Sequence, residues 1–76
     1  MPFHIIITGV PVEATIDDLS QLCASFGEIT NLEVTKEAAT VSYDEFDDAL
    51  TAKQNMHGMQ FFGHSLRVAM QKKRHR

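Results

Sequence analysis

Residues 48–70 limit the possible folds of this chain most, because a helix, its stop, a tight turn and a strand follow one another there. Apolar residues at helical spacing run up to Met56, and His57 and Gly58 then form a helix stop. Gly63 predicts a hairpin turn soon afterwards. Leu66, Val68 and Met70 alternate with polar neighbours and predict a final strand.

The first third of the chain predicts a strand followed by a helix. Phe3 to Thr8 is rich in β-branched residues and predicts a strand that is buried on at least one face. Thr15 and Asp18 have the spacing of a capping box, and Gly27 is the predicted helix end. The predicted apolar face of this helix consists of Ile16, Leu19, Leu22, Cys23 and Phe26.

The middle of the chain predicts two alternating strands and a second helix. Leu32 and Val34 alternate with polar residues, and so do Ala39, Val41 and Tyr43. The acidic segment 44–47 predicts a helix start. The predicted inner face of this second helix is Phe46, Ala49, Ala52 (or the aliphatic stem of Lys53) and Met56.

The resulting order is strand, helix, strand, strand, helix, strand. Two interlocked β-α-β units give a ferredoxin-like α+β fold, with a four-stranded antiparallel sheet and both helices on one face. The predicted domain covers residues 3–71, and residues 72–76 form a basic tail. The open face of the sheet is the predicted binding surface.

Charge is unevenly distributed along the chain. Residues 1–71 contain ten acidic and three basic residues, a formal charge of −7, whereas residues 72–76 carry +4 with histidine neutral. A body of this charge attracts phosphate poorly, and the tail attracts it locally.

Other features narrow the class of protein. The single cysteine, Cys23, fits a reducing compartment and a buried position. There is no run long enough to span a membrane and no basic segment before the first apolar run, so we expect no membrane span and no signal peptide. The four histidines are scattered without a companion cysteine, and no nucleotide loop or catalytic triad can be placed. We therefore expect no enzyme, no metal and no cofactor.

Several segments make the chain similar to the RNA recognition motif family. The first strand ends in Gly9-Val10-Pro11, the first helix is followed by Phe26-Gly27-Glu28-Ile29, and segment 48–66 is the most specific match. The resemblance covers nearly the whole chain. It implies the fold described above and single-stranded RNA as a partner on the open sheet face.

The chain departs from the family where aromatic rings stack on bases. The resemblance places Ile6, Ala38 and Thr40 at the three stacking positions, and none is aromatic. Glu37 replaces the usual glycine, and Lys36 alone keeps its expected character. Each missing ring removes about 1–3 kcal/mol of base stacking.

We expect the open face to carry small and polar side chains: His4, Ile6, Thr8, Asn31, Glu33, Thr35, Ala38, Thr40, Ser42, Arg67, Ala69 and Gln71. Phe3, Phe26, Phe46, Phe61 and Tyr43 are predicted to face the core, and only Phe62 is expected to be partly exposed. The predicted RNA contacts are His4, Ile6, Thr8, Asn31, Lys36, Ala38, Thr40, Arg67, Gln71, Lys72, Lys73, Arg74 and Arg76.

Two functions remain open from the sequence. The first is weak or context-dependent binding of single-stranded RNA in nuclear RNA processing, such as splicing, mRNA processing or ribonucleoprotein assembly, by a chain that is monomeric in isolation. The second is a protein-interaction module that uses the helical face or the bare sheet. One family variant binds a tryptophan-bearing ligand through an Arg-x-Phe motif, but the corresponding Met59-Gln60-Phe61 lacks the arginine. The tail could equally be a solvated end or an import signal.

Overall fold

The computed structural model describes residues 3–35 and 38–71. Its elements are β1 (Phe3–Thr8), α1 (Ile16–Ala24), β2 (Ile29–Val34), β3 (Ala38–Tyr43), α2 (Phe46–Met56), β4 (Gln60–Phe61), β5 (His64–Ser65) and β6 (Arg67–Gln71). Four strands form an antiparallel sheet in the order β2-β3-β1-β6, and β4 and β5 form a separate hairpin. The predicted ferredoxin-like α+β fold is confirmed.

The sheet register sends alternate residues into the core. Ile5 lies opposite Val41, and Ile6 lies opposite Thr40. The odd-numbered residues of β1 and β3 therefore face the core, and the even-numbered residues face the open side of the sheet. The buried core consists of Ile5, Ile7, Leu19, Cys23, Ala39, Val41, Tyr43, Ala49, Ala52, Met56, Leu66 and Val68. Both helices contribute to it, so they cover one face of the sheet and leave the other open.

Helix α1 begins as predicted but ends earlier. The amide of Asp18 donates to Thr15 Oγ1 at 3.1 Å, and the amide of Thr15 donates to Asp18 Oδ2 at 3.0 Å, which confirms the capping box. The predicted end at Gly27 is wrong, because the helix stops at Ala24 with Ser25 as its C-cap. Gly27 serves packing instead, since a Cβ at this position would overlap the side chain of Asp48.

Three predicted core residues are exposed because they lie at the ends of their elements. Ile16, the first residue of α1, is 60% exposed, and Val34, the last residue of edge strand β2, is 42% exposed. Phe46 opens α2 and is 47% exposed, with its ring edge-on to Phe3 at 5.5 Å between centroids.

The start of α2 and the hairpin after it complete the fold. The N-cap of α2 is Glu45, whose side chain makes no capping hydrogen bond, so the predicted acidic cap acts through charge alone. Phe62 (φ 53°) and Gly63 (φ 81°) both have the left-handed backbone of a two-residue hairpin turn. The predicted turn at Gly63 is confirmed, and Phe62 is 53% exposed as expected.

Candidate nucleic-acid interface

The open face of the sheet presents three cross-strand rows of side chains, ordered from β6 to β2. The first row is Gln71, His4, Ser42 and Asn31; the central row is Ala69, Ile6, Thr40 and Glu33; the third is Arg67, Thr8 and Ala38. The described members of the predicted RNA-contact set therefore share one surface. Their role in binding stays a prediction.

The register excludes an aromatic platform on the central strands. Tyr43 is fully buried, and Ala39 and Val41 beside it also face the core. A slip of one residue would have placed Tyr43 on the open face. In the parts of β1 and β3 that the structure describes, no phenylalanine or tyrosine ring lies on the open face.

The central row offers van der Waals contact and one hydroxyl group. Ile6 is half-buried between Ala69 on β6 and Thr40 on β3. An isoleucine can pack against the face of a base, and the threonine hydroxyl can donate to or accept from a base edge. Neither side chain provides the π-face on which bases stack.

His4 is held in place by a cross-strand hydrogen bond. Its Nδ1 lies 2.6 Å from Ser42 Oγ, and Thr30 Oγ1 donates to the Ser42 carbonyl at 3.3 Å. Ser42 is only 3% exposed. The expectation that Ser42 belongs to the accessible face is therefore wrong, because the hydroxyl is covered and already bonded.

A groove of about 340 Å³ lies at the β6 edge of the open sheet face. It is lined by Ile6, Thr8, His57, Arg67, Val68 and Ala69. Arg67 is exposed at this groove. His57 Nδ1 accepts the backbone amide of Val68 at 3.0 Å, and this bond connects the end of α2 to β6. The sequence predicted His57 only as part of the helix stop, because its spacing does not show which strand amide lies opposite.

The electrostatics of the described face are balanced between one cation and one anion. Arg67 lies on β6 and Glu33 on β2, and both are exposed. The other predicted cationic contacts, Lys36, Lys72, Lys73, Arg74 and Arg76, lie outside the described residues. The described sheet therefore offers phosphate one arginine, at the side of the groove.

The titratable groups with shifted pKa values lie in the core and away from this face. Burial raises the pKa of the Cys23 thiol from 9.0 to about 11, and burial, with the adjacent Cys23, raises the pKa of Tyr43. Residues 3–35 and 38–71 contain no group of three or more histidine, cysteine, aspartate or glutamate side chains placed to hold a metal ion. Neither described helix has the length and apolar character needed to cross a membrane.

Solved structures share this fold at low sequence identity. The third RRM of Pes4 superposes with a TM-score of 0.90 at 22% identity, covering 96% of this chain and 95% of that one. An RRM of Rna15 with bound RNA (GU) gives 0.87 at 18% identity, covering 92% and 83%. The C. elegans NONO-1 homodimer gives 0.85 at 23% identity; the match covers 91% of this chain, which spans only 28% of the NONO-1 chain.

The sequence itself matches a family description over most of its length. The sequence model of the RNA recognition motif matches residues 5–67, from the first buried residue of β1, Ile5, to the first residue of β6. That range includes all three predicted stacking positions and both helices. The chain belongs to the RNA recognition motif family.

Proposed function

We propose that this domain binds single-stranded RNA weakly on its open sheet face, without base stacking on aromatic rings. The observation that carries the proposal is the central row, where Ile6, Thr40 and Ala69 occupy the middle of an uncovered sheet. A flat surface of this kind accepts a base by contact and hydrogen bonding. The proposed role is that of a binding module and not of an enzyme.

Family membership supports RNA as the ligand, and the groove beside Arg67 supports the place. RNA recognition motifs bind splayed, single-stranded bases on this sheet face. In this chain the groove contains the exposed guanidinium of Arg67 next to the apolar side chains of Ile6 and Ala69. That combination suits a base on the apolar floor with its phosphate near the arginine.

The finer parts of the proposal come from charge and analogy. The basic segment 72–76 follows β6 directly and would add sequence-independent phosphate contacts. We propose nuclear RNA processing, including splicing, mRNA processing or ribonucleoprotein assembly, as the setting, and a monomer in isolation.

The test restores one missing ring. Thr40 lies opposite Ile6 at a predicted stacking position, so Thr40→Phe should add a stacking surface at the centre of the face. We expect about tenfold tighter binding of a fluorescein-labelled hexauridine, measured by fluorescence anisotropy at low salt, since one stacked base contributes about 1–3 kcal/mol.

The matched control adds the same ring elsewhere. Thr51 is exposed on α2, so Thr51→Phe changes hydrophobicity equally but lies on the other side of the sheet. Equal gains in the two variants, or no gain with Thr40→Phe in a folded protein, would contradict the proposal.

A further inference from the structure

The imidazole ring of His57 is held at the groove beside Arg67 by hydrogen bonds to two elements. The backbone amide of His57 donates to the carbonyl of Lys53 in α2 at 3.0 Å. The amide of Gly58, the next residue, donates to the carbonyl of Leu66 at 2.7 Å. The ring accepts the amide of Val68 through Nδ1 at 3.0 Å. These bonds attach the end of α2 to the segment that forms β6 and fix the position of the ring.

The bond to Val68 determines which ring nitrogen carries the proton. A nitrogen that accepts an amide hydrogen is itself unprotonated, so the neutral imidazole has its hydrogen on Nε2. His57 lines the groove and is exposed, so this Nε2–H group is accessible to a ligand bound there. The ring therefore offers the groove a hydrogen-bond donor, and it can offer an acceptor only by breaking its bond to β6.

The other side chains of the groove leave the reading of a base edge to this donor. Ile6 and Ala69 form the apolar floor, and the charged guanidinium of Arg67 is the stronger donor and suits a phosphate. Thr8 Oγ1 donates to the carbonyl of Arg67 at 3.5 Å. Among the described residues, the nitrogen-bearing side chains that line the groove are His57 and Arg67, and both are donors in this arrangement.

A fixed donor distinguishes the two pyrimidine bases of RNA. Uracil has a carbonyl oxygen, O4, at the position where cytosine has an amino group, N4. The first accepts a hydrogen bond from Nε2–H, whereas the second brings a donor against a donor. We propose that His57 is a specificity-determining residue that makes this groove select uracil over cytosine. The inference rests on the proposed function, because it requires a base on the open sheet face beside Arg67.

The test compares fluorescein-labelled hexauridine with hexacytidine. The two have identical sugars and phosphates, so contacts between Arg67 and phosphate are the same in both, and the ratio of the Kd values reports on the bases. Fluorescence anisotropy at low salt measures the Kd values, and amide chemical shifts of the full chain show where each hexamer binds. We expect hexauridine to bind about three- to tenfold tighter, the effect of about one net hydrogen bond.

The variant His57→Asn removes the donor at Nε2 and keeps the structural bond. The asparagine Oδ1 can take the place of Nδ1 and accept the Val68 amide, so the midpoint of urea unfolding should change little. The ratio of the Kd values should fall below about twofold. The matched control is His64→Asn, the same substitution at an exposed histidine of the β4–β5 hairpin, and it should leave the ratio unchanged.

A second variant keeps the proposal testable if asparagine disturbs the fold. His57→Gln places in the groove an amide that can donate or accept, so both hexamers should bind with nearly equal affinity. A preference for uracil that survives in both folded variants would overturn the proposal, and so would an equal loss of preference in His64→Asn.

The outcomes separate this inference from the proposed function. If the two hexamers bind the natural protein equally and shift amides on the open sheet face, the inference is overturned and the proposed function stands. If neither hexamer shifts the open face even at low salt, both are overturned.

Discussion

At the scale of single residues, the buried hydroxyl of Tyr43 shows how a polar group is tolerated in this core. It donates to the backbone carbonyl of Cys23 at 2.7 Å and so joins β3 to the end of α1. Burial raises the pKa of the Cys23 thiol to about 11, and burial with the adjacent Cys23 raises the pKa of Tyr43. Both side chains are therefore neutral in the folded protein near neutral pH.

The raised pKa values predict a loss of stability in alkali. The folded state holds both protons more tightly than the unfolded state, so their contribution is complete below the unfolded thiol pKa of 9.0 and is lost as pH rises toward 11. The urea concentration at which half of the protein is unfolded should therefore decrease as the pH is raised from about 8 to about 10.5.

A double variant provides the control for this alkaline effect. Cys23→Ala with Tyr43→Phe lowers stability at every pH, because it leaves a small cavity and an unpaired carbonyl. It should also show a smaller fall in midpoint with pH than the natural protein. An equal fall in both proteins would contradict the assignment.

Gly9 and Gly63 provide a matched test of backbone close approach. Both have positive φ, at 83° and 81°, but a Cβ on Gly9 would lie 2.6 Å from the carbonyl oxygen of Ser65, whereas a Cβ on Gly63 meets nothing within 4 Å. We expect Gly63→Ala to cost about 1 kcal/mol in the free energy of unfolding, the conformational penalty alone.

Gly9→Ala should cost at least about 2 kcal/mol more than Gly63→Ala, because the backbone near Ser65 must also move. Chemical denaturation of the two variants measures the difference. Equal costs would contradict this prediction, because they would show that the backbone near Ser65 moves to accept a Cβ at position 9 with no loss of stability.

At the scale of elements, the two helices start in different ways. Thr15 caps α1 with its side chain, whereas Glu45, with φ −110° and ψ 136°, has capping backbone geometry at α2 but no side-chain bond. A glutamate is one methylene longer than the residues that cap best. The first turn of α2 therefore relies on the charges of Asp47 and Asp48.

Shortening that residue should stabilise the domain. Glu45→Asp keeps the charge and places a carboxylate within reach of the helix amides, and we expect a gain of about 0.5–1 kcal/mol in the free energy of unfolding. The companion Thr15→Ala should lose about 1 kcal/mol. A loss of stability with Glu45→Asp, measured by urea unfolding, would contradict this description of the cap.

The sequence predicted element types well and element ends poorly. Alternation in 38–43 placed Ala39, Val41 and Tyr43 in the core correctly, since a two-residue period has only two solutions and one is strongly apolar. Helical spacing placed Ile16 and Phe46 in the core wrongly, and alternation did the same for Val34, because periodicity identifies a face but not whether a neighbouring element covers the end of that face. Ser42 and His57 depend on partners in distant segments, which no local pattern contains.

At the scale of the whole molecule, the excess of positive charge and the open sheet face belong to different parts of the chain. The formal charge of residues 1–71 is −7 and that of residues 72–76 is +4, while the described open face has one arginine and one glutamate. We therefore expect long-range attraction to RNA to come mainly from the basic tail, and any preference among bases to come from the sheet.

Removing the tail tests this division. Deletion of residues 72–76 should weaken hexamer binding about equally for all RNA sequences, and should flatten the salt dependence by about 0.7 in the slope for each phosphate that the tail no longer neutralises. Thr40→Ala should instead change the preference among hexamers of different sequence. An unchanged salt slope after deletion would contradict a role of the tail in RNA binding and would leave it as a solvated end or an import signal.

The central claim is that RNA binds the open sheet face, and an amide chemical-shift titration of the full chain with hexauridine and a (GU) hexamer tests it most directly. We expect Kd values of tens of micromolar or weaker near physiological salt. The shifts should concentrate at Ile6, Thr8, Thr40, Arg67 and Ala69, with little change in α1. Shifts confined to the helices, no shifts even at low salt, or a nanomolar Kd for residues 1–71 alone would contradict the account.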